Sequence, residues 1–88
     1  MPASFQFRVV TPQGAAFEGS AVHIRIPNED GFVGILANHA PYVTSSPGGP
    51  LEIREPGGGE KTYTAGPGFF EVAENQAIFL TQSFSAVS

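Results

Sequence analysis

Eleven glycines and eight prolines punctuate 88 residues, so a turn signal falls about every eight residues and only short elements fit between them. No stretch has a convincing helical period; the segments between turns alternate instead. In Phe5–Thr11, Phe5, Phe7 and Val9 share one face and Gln6 and Arg8 the other, the period of a half-buried strand. Ala15–Gly19 carries Phe17 as its inward candidate, and Ala21–Ile26 sets Val22, Ile24 and Ile26 inward against outward His23 and Arg25. Phe32–Leu36 and Tyr42–Ser45 read as short strands flanking the polar corner Asn38-His39. Leu51–Glu55 and Glu60–Thr64 pair as a hairpin across Pro56–Gly59, and Phe69–Val72 leads through Glu74-Asn75 into Gln76–Thr81. Pro27–Gly31, Ser46–Pro50 and Ala65–Gly68 read as breaks, and the C-terminal serines Ser83, Ser85 and Ser88 as a frayed polar end. The expected fold is all-β: an antiparallel β-sandwich or flattened barrel of about nine to ten short strands, one domain over residues 1–88.

Several function classes are disfavoured by composition. A chain of this length buries roughly 60–65% of its unfolded surface, enough for one modest core. It has no Cys, so disulfides and thiolate metal sites are unavailable. Its formal charge is −4, and the four basic residues Arg8, Arg25, Arg54 and Lys61 are scattered, which is not the footprint of a nucleic-acid binder. With no apolar run of about 20 residues, direct membrane insertion is not expected. The N-terminus lacks the basic-then-apolar layout of a signal peptide.

Chemistry is equally poorly provided for. His23 lies on an outward strand face. His39 sits in a shaped corner, but Asn38 and Ala40 supply no carboxylate to set its pKa or orientation, so a hydrogen-bonding role outweighs that of a general base. Two separated His and the acidic pair Glu29-Asp30 make no recognised metal spacing. Gly48-Gly49 and Gly57–Gly59 join strands rather than opening a helix, so they read as turns and not phosphate cradles. No catalytic, cofactor-binding, metal or small-molecule site is therefore expected. Phe32, Tyr42, Phe69, Phe70, Phe79 and Phe84 are many for so small a core, and one or two of them suit an interface. Phe69 and Phe70 are consecutive and must face opposite sides of a strand, which allows both faces to be covered.

The stretch Gly31-x-x-Gly34-Ile35-x-x-x-His39-Ala40-Pro41-x-x-Thr44 resembles the signature of the epsilon subunit of F-type ATP synthase, called delta in mitochondria, in its N-terminal β-sandwich. Val9-Val10-Thr11-Pro12 with Phe17-Glu18-Gly19, Leu51-Glu52-Ile53 and Gly68-Phe69-Phe70-Glu71-Val72 resemble further segments of that family in the same order. The resemblance implies a non-catalytic subunit of the central stalk that packs on the gamma subunit and the c-ring. It would thereby couple ion-driven rotation to ATP synthesis, peripheral to a bacterial inner membrane on its cytoplasmic face. By position, Thr11, His39 and Thr44 match places facing gamma, and Glu29, Asp30 and Phe32 match the loop that meets the c-ring. The length further resembles a short form without the C-terminal helical hairpin, for which neither ATP sensing nor hairpin-mediated inhibition is expected.

Three departures bear on these expectations. Phe32 stands where the family commonly has an acidic residue, Ala37-Asn38 replaces the usual Pro-Gly before His39, and Ala65–Gly68 is one residue longer than the common segment. Two other classes compete with the rotor reading: a stand-alone ligand-binding sandwich, for instance one recognising carbohydrate through exposed aromatics, and a small enzyme using His39.

Overall fold

The computed structural model describes residues 3–87, and the alternating segments become ten strands in two five-stranded sheets. In chain order these are β1 (Phe5–Thr11), β2 (Gly14–Ala21), β3 (His23–Asn28), β4 (Gly31–Leu36), β5 (Tyr42–Ser46), β6 (Gly49–Arg54), β7 (Glu60–Ala65), β8 (Gly68–Ala73), β9 (Gln76–Thr81) and β10 (Phe84–Ala86). The first sheet has the order β2-β1-β9-β8-β5 and the second β10-β7-β6-β3-β4. Their facing side chains make one core. Phe5, Phe7, Val9, Phe70, Val72 and Phe79 come from the first sheet, and Ile24, Ile26, Ile35, Leu51 and Ile53 from the second. Phe17, Tyr63 and Phe84 close one side of the sandwich, with Tyr63 stacked on Phe84 at 4.6 Å between ring centroids.

Four expectations need correction. The sandwich is not antiparallel throughout, because β1 pairs with β9 in parallel. The two strands arrive from opposite ends of the chain by a long crossover, which the alternation of either one does not reveal. The break at Ser46–Pro50 is shorter than expected: β6 begins at Gly49, and Pro50 is accommodated with its side chain exposed. Ser83 and Ser85 are not frayed. Ser83 O accepts from Gly66 N–H at 2.9 Å, and Ser85 lies in β10 opposite Thr64; Ser88 lies outside the described residues. Finally, within this chain only one face of β8 is covered, for Phe70 is fully buried while Phe69 is 64% exposed.

Asn75 holds the N-terminal segment and the corner together. It forms the two-residue β8–β9 turn with Glu74, both at positive φ (52° and 63°), the backbone of a primed hairpin turn. Its side chain accepts from Asn38 N–H (2.7 Å) and donates to Ser4 O (2.9 Å). Asn38 itself adopts φ 62°, so the residue replacing the family's Gly is one that tolerates the left-handed bend. Asn75→Ala is expected to lose about 2–3 kcal/mol in urea unfolding, because an unfavourable φ and two lost hydrogen bonds add. Asn75→Gly, which relieves the φ, should lose about 1 kcal/mol less.

Candidate functional site

The outer surfaces of the two sheets differ in kind. On the second sheet, cross-strand rows read Leu36–His23–Arg54–Glu60 and Gly34–Arg25–Glu52–Thr62, polar apart from the β4 edge. On the first sheet, the register aligns Ser45, Phe69, Leu80 and Val10 in one row and Val43, Glu71, Ile78 and Arg8 in the next. Val43, Phe69 and Leu80 are 67%, 64% and 49% exposed. With Val10 of β1 they form an apolar strip across four strands, and an open groove of about 510 Å³ runs beside it, lined by Thr11, Ser45, Pro67, Phe69 and Leu80 among others. Isolated apolar side chains are ordinary on a surface; an aligned strip of them marks a place for a partner. Sequence reading singled out Phe69 and missed Val10, Ile78 and Leu80. The signal was there, because Ala77-Ile78-Phe79-Leu80 and Val9-Val10 are consecutive apolar residues, the pattern of a strand covered on both faces.

Of the three residues matched to gamma contacts, His39 and Thr44 lie along the β5 margin of the same sheet, whereas Thr11 ends β1, with β9 and β8 between it and β5. His39 is at one end, its ring edge-on to Tyr42 at 5.8 Å, and its Nδ1–H donates to Ala40 O at 2.6 Å. That bond leaves Nε2 as an acceptor for an outside donor. Thr44 is mid-strand, half-buried, and donates to Ser45 O at 3.0 Å. Thr11 lines the groove at the far end, and its hydroxyl accepts from Gln13 N–H at 3.2 Å. All three polar side chains are turned onto local backbone rather than onto one another. Among the described residues, no carboxylate is hydrogen-bonded to His39.

Glu29, Asp30 and Phe32, matched to the ring contact, do come together at the β3–β4 hairpin. Asp30 N–H donates to Asn28 Oδ1 (3.0 Å), shaping the tip, and the Arg25 guanidinium lies 3.8 Å over the Phe32 ring. The hairpin is tied to β5 by Ser45 Oγ donating to Glu29 Oε1 and by Asn28 Nδ2 donating to Tyr42 OH, both at 3.4 Å. Each of the four basic side chains stands within 3.5 Å of a carboxylate of Glu18, Glu52, Glu60 or Glu55. Such exposed pairs add little stability. They do locate the excess charge, since the acids outside these pairs are Glu29, Asp30, Glu71 and Glu74. The hairpin tip therefore presents two adjacent negative charges.

Comparison with known proteins agrees with this geometry. Residues 4–87 match the model of the family described as ATP synthase, Delta/Epsilon chain, beta-sandwich domain. The chain is 36% identical over 83 residues to the ATP synthase epsilon chain of Desulfitobacterium hafniense (strain DSM 10664 / DCB-2), covering 94% of this chain and 62% of that one. It is 33% identical over 82 residues to the epsilon chain of Chlorobium limicola, covering 93% of each. It thus spans about three-fifths of the first relative and nearly all of the second. In fold, it is similar to a chain in the cryo-EM structure of the Euglena gracilis mitochondrial ATP synthase (OSCP/F1/c-ring). That match has a TM-score of 0.90 at 23% identity and covers 98% of this chain and 55% of that one. The family match over almost the whole length, joined to the two-sheet architecture, gives the assignment: this chain belongs to the ATP synthase delta/epsilon family, as its β-sandwich domain.

Proposed function

We propose that this sandwich is a non-catalytic part of the central stalk of an F-type ATP synthase, held against gamma and seated on the c-ring, and that it couples ion-driven ring rotation to ATP synthesis. The observation that carries the reading is the apolar strip of Val43, Phe69, Leu80 and their neighbours on one outer face, where the other face is polar apart from Phe32 and Leu36 at the β4 edge. Gamma covers that strip and the β5 margin, with Thr11, His39 and Thr44 as contacts and His39 Nε2 as an acceptor. Glu29, Asp30 and Phe32 meet the polar loops of the ring, where the acidic pair suits basic loop residues and Phe32 adds apolar contact. The domain is then peripheral to the cytoplasmic face of a bacterial inner membrane, reaching it through the ring. It takes no cofactor, nucleic acid or small-molecule ligand, and ATP sensing and hairpin-mediated inhibition are not assigned to it.

The carbohydrate-binding alternative needs exposed aromatics that converge, whereas Phe69 and Phe32 lie on the outer surfaces of different sheets. The test is retention of the gamma subunit by tagged chain. Wild type should retain gamma at moderate salt. Leu80→Glu, which places a charge at the centre of the strip, should weaken retention at least about tenfold, while His39→Ala should weaken it less. Failure of wild type to retain gamma at low and moderate salt would remove the proposal.

A further inference from the structure

Four strands end the two sheets, and three of them are guarded against pairing. β5 is bracketed by Pro41 and Pro47, β10 is three residues long, and the β2 ladder is broken by an irregularity at Val9/Val10. β4 has none of these devices. Gly31-Phe32-Val33-Gly34-Ile35-Leu36 contains no charge and no proline, and its outward Phe32 and Leu36 are 44% and 60% exposed. A long, uncharged sheet edge is a template for another strand.

Its free backbone groups follow from the register. Asn28 and Gly31 close the two-residue loop Glu29-Asp30, and facing pairs in an antiparallel ladder alternate between bonded and non-bonded. Asn28, Ile26 and Ile24 thus exchange bonds with Gly31, Val33 and Ile35. The N–H and C=O of Phe32, Gly34 and Leu36 point away from β3. Among the described residues, β4 pairs with β3 alone and no loop backbone bond reaches it.

We infer that β4 is a self-complementary edge, and that a second copy of this chain adds to it antiparallel about a twofold axis at Gly34. In that register the three free positions all fall in bonded pairs. Phe32 of each copy faces Leu36 of the other on one side of the joined sheet. Sliding by one bonded pair would set Phe32 or Leu36 against Gly34 and forfeit the match. At the axis β4 itself contributes no side chain, because the residue is Gly34; the His23 ring of β3 leans over it, with Nε2 3.0 Å from where a Cβ would sit. An unrelated strand would have to match Phe32 and Leu36 separately; β4 matches itself.

An edge of six residues buries less than the roughly 1,000 Å² of a stable interface, so the pairing is weak, with Kd on the order of 100 µM. Phe32 also belongs to the set proposed for the ring. If that reading holds, pairing between copies and seating on the ring exclude each other, and a second copy covers the edge only while the chain is unassembled.

Sedimentation from about 10 µM to 1 mM, with amide exchange across the same range, tests the inference. Wild type should pass from monomer to dimer, and the amides of Phe32, Gly34 and Leu36 should gain protection with concentration while those of Val33 and Ile35 stay unchanged. Leu36→Lys, at an exposed position, should weaken the dimer at least tenfold; Leu80→Glu, on the other sheet, should leave it unchanged. A wild type monomeric at 1 mM, a dimer abolished by Leu80→Glu but kept in Leu36→Lys, or a dimer without those three protections would each overturn it. Gamma retention by Leu36→Lys separates this outcome from failure of the rotor reading.

Discussion

Gly68→Ala is expected to destabilise the domain by about 3 kcal/mol or more, the upper end for overpacking. For a domain of this size that is a fall in Tm of roughly 12–24 °C. The cause is the closeness of two backbones. Gly68 opens β8 opposite Thr81 of β9, and a Cβ there would press into the Leu80 carbonyl oxygen and stand 3.0 Å from Thr81 Cα. Neither is the end of a flexible side chain, so the ladder itself would have to separate. The same place is fastened by the buried Thr81 hydroxyl, 2.9 Å from Gly66 O and 3.0 Å from Pro67 O, and able to donate to one of them. Displacing β8 disturbs that bond too. Gly57→Ala provides the control: no atom lies within 4 Å of its added methyl. A thermal melt in which the two variants fell equally would contradict this account.

Phe70→Ala should cost about 3–5 kcal/mol, the usual loss for a buried aromatic. Phe70 is fully buried, pairs with Phe79 across β8–β9, and its ring lies 6.3 Å from that of Phe7. Its removal leaves a cavity where the first sheet meets the core. Since small domains have only about 5–15 kcal/mol in total, much of the variant should be unfolded at 37 °C. The adjacent Phe69→Ala should behave oppositely. With its ring on the outer surface, unfolding should change by less than about 0.5 kcal/mol, while gamma retention should weaken. Urea unfolding and gamma retention measured on both variants would separate the two roles; comparable destabilisation would refute the assignment of faces.

Period-two alternation was enough to recover most strands and their inward faces. Phe5, Phe7, Val9, Ile24 and Ile26 are buried as expected, and the hairpin across Pro56–Gly59 forms as read. Elements without a local signature were not legible. Phe84–Ala86 has no alternation of its own and becomes a strand because β7 offers an edge and Tyr63 a ring to stack on. The parallel β1–β9 pairing depends on the whole crossover. Of the site, the residues of the hairpin tip could be grouped from sequence because they are neighbours in the chain. The apolar strip could not, since Val10, Leu80, Phe69 and Val43 come from four strands and only register brings them into rows.

The parallel pairing also bears on when the domain can begin to act. Gln6 to Val10 finds its partner in Gln76 to Leu80, about seventy positions later, so a nascent chain leaving the ribosome cannot zip the first sheet until synthesis of the sandwich is nearly finished. The strip draws on β1 and β9 alike, so it is complete only once Leu80 has been added to the chain.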